Sequence, residues 1–376
     1  MEVRKLGGIK EEISLLGYGC MRLPKLQEDK PDIDKEQAWS LIDYAYSHGV
    51  NYFDTAYPYH GGMSEAFIGE ALKKYPRESF NLATKMPPWE LKTDKDIDRI
   101  FEEQLKKCQV SYFDFYLIHS LGVENFKKAE ELKVYESLSR KKAEGKIRYL
   151  GFSFHDTPKL LETIVHAHEW DFAQIQLNYL DWELQDAKGQ YEILTSNGIP
   201  VIVMEPVRGG ALATLCDRSK EILSQAKPES SVASWAVRYA ASLPNVLTVL
   251  SGMTDMAQVQ DNVGTLADFK PLDEAEREAL NQALEYYKES RTVPCTGCRY
   301  CMPCPSGVDI PRIFSIYNQY CVSKDKDAFA TAYQDMGTEK QAYHCISCKK
   351  CMQHCPQSIR IPMMLDEVGT FAATLL

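Results

Sequence analysis

Between residues 14 and 252 the sequence alternates eight short apolar runs with longer amphipathic stretches, and few folds accommodate that alternation. The runs are "SLLGYGC" (14–20), "VNYFDTA" (50–56), "FNLATKM" (80–86), "FDFYLIHS" (113–120), "IRYLGFS" (147–153), "FAQIQLN" (172–178), "PVIVMEP" (200–206) and "VLTVLSG" (246–252). Runs of this kind, with little in–out alternation, are strands buried on both faces, which parallel pairing with helical crossovers produces. The stretches between them, such as 64–75, 94–109, 126–145, 157–168 and 229–242, read as helices. Eight βα units predict an α/β fold, a closed (β/α)8 TIM barrel, rather than an open doubly wound sheet. No GxGxxG follows the first strand to argue for a Rossmann domain.

In such a barrel the chemistry lies where strands end and loops begin. "FDTAYPY" brings Asp54 and Tyr59 there, "ATK" brings Lys85, and "LIHS" brings His119. A buried ammonium beside a phenol favours the phenolate and lowers a pKa that starts near ~10. An aspartate keeps the ammonium charged and oriented, and a neutral imidazole N–H can hold a carbonyl oxygen. The set suits reduction of a carbonyl by hydride and proton.

These residues resemble the aldo-keto reductase family. Its Asp-Thr-Ala with a Tyr five residues after the Asp stands here as Asp54, Thr55, Ala56 and Tyr59, followed by the Ser-Glu of "GGMSEAFIGEAL". Its Thr-Lys stands as Thr84 and Lys85, and its Asp-x-Tyr-x-x-His as Asp114, Tyr116 and His119. The resemblance covers roughly residues 1 to 290. It implies a catalytic four of Asp54, Tyr59, Lys85 and His119, with Tyr59 as general acid.

The resemblance also implies a cofactor face. Ser153 of "GFSFH" and Gln174 of "QIQLN" would meet a nicotinamide carboxamide. Met204, Pro206, Arg208 and Gly209 of "MEPVRGG" would form the phosphate loop after the seventh strand, where backbone N–H groups meet a pyrophosphate. Gly252, Gln258, Asp261 and Asn262 of "SGMTDMAQVQDN" would hold the adenosine end. Departures accompany the match. Phe154 replaces the usual Asn, Met204 replaces an aromatic, and Gly252 and Gln258 stand where NADP-preferring members carry cations. Losing those charge-assisted partners costs a 2′-phosphate about 1.5 to 3 kcal/mol each. The expected cofactor is therefore NAD(H), with NADP(H) or FMN as alternatives.

Of twelve cysteines, eight fall in two runs near the C-terminus. Cys295, Cys298, Cys301 and Cys304 form CxxCxxCxxCP, and Cys345, Cys348, Cys351 and Cys355 form CxxCxxCxxxCP. Zinc takes four thiolates, usually as two separated pairs. Three cysteines at three-residue spacing wrap one cubane, while the Cys before the proline serves the other cluster in two-cluster ferredoxins. The expected sets for two 4Fe-4S clusters are Cys295, Cys298, Cys301 and Cys355, and Cys345, Cys348, Cys351 and Cys304. "CPSGVDIP" and "CPQSIRIP" repeat one another, and the helical stretch between the runs resembles the helical ferredoxin modules of multi-subunit redox enzymes. The remaining cysteines, Cys20, Cys108, Cys216 and Cys321, read as small buried apolar residues.

The chain of 376 residues then divides into a barrel (1–272), a linking helix (273–291) and a two-cluster domain (292–376). Residues 1–291 carry 35 basic and 46 acidic side chains against 8 and 7 afterwards, so the net charge of −10 belongs to the barrel. Neither part concentrates Lys and Arg as a nucleic-acid binder does. The start lacks a signal-like apolar stretch and no uncharged run is long enough to span a bilayer, so the expected location is the cytoplasm. A hydride carries two electrons and a cluster one. Electron exchange with the barrel therefore needs a flavin in it or in a partner, and a ferredoxin or flavoprotein partner is expected beside the carbonyl or alcohol substrate. Structural or redox-sensing clusters are the alternative.

Overall fold

The computed structural model describes residues 1–27 and 30–375. They form two compact units: Met1–Pro206 with Val237–Pro271, and Val207–Ala236 with the chain from Leu272 onward.

A short antiparallel hairpin, β1 (Val3–Arg4) and β2 (Ile13–Ser14), opens the first unit. Eight strands follow: β3 (Leu16–Gly19), β4 (Tyr52–Asp54), β5 (Asn81–Met86), β6 (Phe113–Leu121), β7 (Ile147–Phe154), β8 (Phe172–Gln176), β9 (Val201–Met204) and β10 (Val246–Ser251). Each pairs in parallel with the next, and β10 closes onto β3, giving a closed eight-stranded barrel. Each coincides with one of the eight apolar runs, with β6 and β7 extending one residue past theirs to Leu121 and Phe154, because a strand buried on both faces is mostly apolar.

The barrel is filled from inside. Tyr52, Phe115, Phe172 and Ile202 from successive or alternate strands share one core with Ile9 and Ile13 of the hairpin segment. The rings of Phe115 and Phe172 meet edge to face at 5.0 Å. Full burial of each such side chain contributes about 1.5–3 kcal/mol. The hairpin side of the barrel is thereby plugged, and the reactive groups lie where the strands end.

The stretch 126–145, expected as one helix, is two: Val123–Glu131 and Val134–Ala143. Lys133 adopts a left-handed conformation (φ 55°) between them, which resets the helical phase so that Val134 and Leu138 are both buried.

In the second unit the helix Glu274–Glu289 starts with a capping box. Asp273 Oδ1 accepts from the Glu276 N–H at 2.8 Å, and Glu276 Oε2 accepts from the Asp273 N–H at 3.1 Å. This helix lies against Asp217–Ala226, where Ser219 Oγ donates to the Ala283 carbonyl at 2.6 Å. Farther on, helices Ile310–Ser323, Lys326–Asp335 and Ile361–Ala373 bury Phe314, Phe329, Tyr333, Leu365 and Val368 in a separate core. Both halves of the "CP…IP" repeat do the same work. Each cysteine run leads into a helix whose first turn contains Ile-Pro, a proline site that needs no N–H donor. No helix among the described residues is long and apolar enough to cross a membrane.

Candidate functional site

Lys85, on β5, is fully buried and uses all three of its donors. Nζ donates to both carboxylate oxygens of Asp54 at 2.7 Å and to the Thr55 carbonyl at 2.8 Å. Burial raises the Asp54 carboxyl above its ordinary pKa, and the facing ammonium offsets part of that rise. Tyr59 lies in the turn after β4, with Lys85 Nζ 5.2 Å from its ring centroid. The His119 ring meets the Tyr59 ring edge to face at 6.0 Å, and Trp89 flanks it at 5.0 Å. Burial, with Lys85 and His155 nearby, pushes His119 well below the usual imidazole range, so it is neutral. The structure thus brings Asp54, Tyr59, Lys85 and His119 to one rim.

Other motif residues support this rim from behind. Thr84 Oγ1 and Gln104 Nε2 each donate to Glu65 Oε1 at 2.7 Å, and Gln104 also donates to the Lys85 carbonyl at 3.0 Å. Tyr116 O–H donates to Gln104 Oε1. Asp114 accepts from Arg77 at 2.6 Å, Arg148 at 2.8 Å and the Leu82 N–H at 2.9 Å, tying β5, β6 and β7 together. Glu65 is the Glu of the Ser-Glu motif, whereas Gln104 stands out in the sequence only as a polar residue on an otherwise apolar helix face.

On the cofactor face, Ser153 Oγ accepts from the Ser120 N–H at 2.7 Å. Gln174 Nε2 stands 3.5 Å from Met204 Sδ. Gln174 Oε1 is buried with no hydrogen-bond partner among the described residues, as is His119 Nδ1. A buried carboxamide oxygen lacking a donor fits a ligand that brings an amide N–H, as nicotinamide does. Phe154 is fully buried beside Phe152 and acts as core.

At the adenosine end, Asn262 Nδ2 donates to Ser251 Oγ at 3.0 Å, and Gln258 Oε1 accepts from the Thr254 N–H at 2.8 Å. Asp261 is half-buried beside Asn262. Gly252 is close-packed: a Cβ there would stand 2.9 Å from Arg22 Cβ. The Arg22 guanidinium in turn pairs with Glu205 at 2.9 Å. Position 252 carries no cation in sequence, yet one lies across it in space. Glu205 also faces His155, and burial lowers the His155 pKa to about 4.

Pro206 is buried at the end of this unit, and the loop continues through Arg208, Gly209 and Gly210 at φ 52°, 64° and 96°. Glycine takes these angles without steric cost. Arg208 is buried, and its Nη2 donates to Gln357 Oε1 at 3.0 Å, both within the second unit. Trp89, in the loop after β5, borders His119 beside Tyr59. Tyr18 O–H donates to the Met253 carbonyl at 2.9 Å, Tyr57 O–H donates to Glu103 at 3.2 Å, and Tyr179 and Trp182 both pack on Tyr239.

Cys295, Cys298, Cys301 and Cys355 line one cavity together with Ile310, Phe314, Gln357 and Ile359. Burial and the neighbouring thiols Cys298, Cys295 and Cys355 push the Cys301 thiol up. Around Cys351 the neighbouring thiols are Cys345, Cys304 and Cys348. Each run therefore contributes three cysteines to one group and the cysteine before its proline to the other. Four sulfurs from two runs around a shared cavity are a donor set suited to a cubane. Cys20, Cys108 and Cys321 are buried and Cys216 is half-buried.

Residues 15–285 match the family model described as Aldo/keto reductase family, and residues 294–359 match the 4Fe-4S dicluster domain. A probable aldo-keto reductase of Glycine max is 30% identical over 215 residues, covering 55% of this chain and 59% of that protein. An NADH-specific methylglyoxal reductase of Escherichia coli is 27% identical over 306 residues, covering 69% and 92%. The solved holo form of an aldo-keto reductase from Bacillus halodurans superposes with a TM-score of 0.63 at 25% identity, covering 75% and 96%.

Proposed function

Since the chain belongs to the aldo/keto reductase family and carries a 4Fe-4S dicluster domain, we propose that it is a nicotinamide-dependent oxidoreductase that interconverts a carbonyl and its alcohol. Nicotinamide, when bound, supplies or accepts the hydride. The observation that carries the reading is the buried Asp54–Lys85 pair beside Tyr59, with His119 held neutral above it. Asp54 keeps Lys85 charged and pointed. The ammonium favours loss of the Tyr59 proton, which makes Tyr59 the general acid toward a substrate oxygen and the base in the reverse direction. His119, uncharged, orients that oxygen by hydrogen bonding without competing for the proton. Gln174 Oε1 and Ser153 would hold the carboxamide.

The NADH-specific relative from Escherichia coli, the lack of a cationic side chain at Gly252 and Gln258, and the pairing of the neighbouring Arg22 with Glu205 favour NADH over NADPH. Tyr59→Phe is expected to lower kcat by about 10²- to 10⁴-fold while leaving NADH affinity unchanged in fluorescence titration. Near-normal turnover would remove Tyr59 from its role. Flavin released by acid from the purified protein would replace the nicotinamide reading with the FMN one.

For the C-terminal unit the reading is electron transfer through two 4Fe-4S clusters, ligated by Cys295, Cys298, Cys301 and Cys355 and by Cys345, Cys348, Cys351 and Cys304. The interleaved thiol groups support it. Anaerobically purified protein should hold about eight irons and eight acid-labile sulfides per chain.

A further inference from the structure

The two cysteine groups differ in exposure. Every thiol around the first cavity is half-buried, whereas Cys348 of the second group is exposed. Around Cys348 the surface is apolar as well as open: Ile346 is 69% exposed, Tyr343 64% and Met352 36%. Lys349 and Lys350, both exposed, separate Cys348 from Cys351. Between positions 340 and 360 the sequence holds Lys340, Lys349, Lys350 and Arg360 and no Asp or Glu, in a chain whose net charge is −10. Neither Lys349 nor Lys350 makes an ion pair among the described residues.

Exposed apolar side chains scattered singly are ordinary, but they mark contact surfaces when they cluster inside a polar rim. A cubane with four thiolates is anionic, so its bare edge would repel another anion. Two unpaired lysines between its ligands reverse the local sign. We propose that this face is the docking surface of a small acidic protein that carries a one-electron centre, which meets the chain at the exposed Cys348 edge. The proposal rests on the electron-transfer reading of the clusters. On contact one electron passes from the reduced carrier to the cluster held by Cys345, Cys348, Cys351 and Cys304. The carrier is oxidised by one electron, the cluster is reduced by one, and no bond is made or broken. Complementary charge raises the encounter rate, and salt screens it.

The test uses the holoprotein and, as probe, a reduced acidic 2[4Fe-4S] ferredoxin mixed anaerobically in a stopped-flow instrument. The second-order rate of ferredoxin oxidation should fall steeply with rising ionic strength. At low salt the double variant Lys349→Glu/Lys350→Glu should be slower by at least about tenfold. Its iron content should match that of the parent, and at high ionic strength, where the charges are screened, the parent and variant rates should converge. Equal rates in parent and variant, or rates indifferent to salt, would sink the docking surface while leaving the clusters as electron carriers. A change in sedimentation of the variant with no change in ferredoxin rate would assign the face to a second copy of this chain and overturn the proposal. Clusters that no mediator can reduce would overturn the electron-transfer reading itself.

Discussion

Lys85 in the barrel and Cys301 in the C-terminal unit both carry the chemistry assigned to their unit, and they are held by different means. Lys85 has every donor satisfied by Asp54 and Thr55, and the strand that bears it is pinned by Gln104, Glu65 and Thr84. Its position is set before any ligand arrives. The cysteines sit on loops and single 3-10 turns, with Arg299, Ser347, Lys349 and Ser358 in left-handed conformations at φ 65°, 54°, 60° and 51°. Side chains of Cys295, Cys301, Cys304, Cys345, Cys351 and Cys355 pack around the edge of the helical core rather than forming it. One site is preorganised by protein hydrogen bonds. The other is a set of loops whose geometry a cluster would complete.

Iron removal is the largest perturbation of this difference. Ligand binding to a site that does not exist in the unfolded chain is folding free energy. Anaerobic chelation after oxidation of the clusters is therefore expected to abolish the thermal transition of the C-terminal unit in calorimetry. The barrel transition should persist at an unchanged temperature. A single shared transition that moves as a whole would break the contrast.

A smaller effect is expected inside the barrel. Lys85→Met leaves the Asp54 carboxylate buried without its counter-charge, and breaking such a pair costs about 3–5 kcal/mol. Without the ammonium, the folded-state pKa of Asp54 rises further above its unfolded value. The folded protein then binds the proton more tightly than the unfolded chain, so the loss is largest at neutral pH and shrinks toward pH 4. Urea unfolding at pH 7 and pH 4.5 measures it, and a pH-independent loss would mean that Asp54 is not the group left uncompensated.

Much of this architecture was legible in the sequence because burial on both faces leaves a plain signature. All eight barrel strands coincide with apolar runs of the sequence, Phe113–Leu121 and Ile147–Phe154 each reaching one residue past its run. The hairpin Val3–Arg4 and Ile13–Ser14 left no periodicity to read, its strands being two residues each. The break at Lys133 was hidden because a left-handed non-glycine residue has no sequence mark. Site chemistry followed the same divide. Asp54, Tyr59, Lys85 and His119 were visible because each ends or follows an apolar run. Arg22 and Glu205 meet across 183 residues, and Arg208 and Gln357 across 149, so neither pair could be read from local spacing. Beyond the backbone role expected of its loop, the Arg208 guanidinium donates to Gln357, which lines the first cysteine cavity.

The smallest expected effect separates the two units by pH. Burial lowers the His155 pKa to about 4, with Glu205 opposing, and lowers His119 well below its ordinary value. An unfolded imidazole titrates near ~6.5. Between these values the unfolded chain binds protons that the folded barrel excludes, so stability falls as pH falls from about 6.5 to about 4. Each such group contributes a slope of at most about 1.4 kcal/mol per pH unit. The barrel transition should therefore drop over this window, and His155→Gln should flatten part of the drop. Because these imidazoles belong to the barrel, holoprotein and iron-depleted protein should show the same window. An acid transition of the barrel that appears only in the iron-loaded protein would tie its stability to the clusters, and the two sites would then have to be treated as one cooperative system.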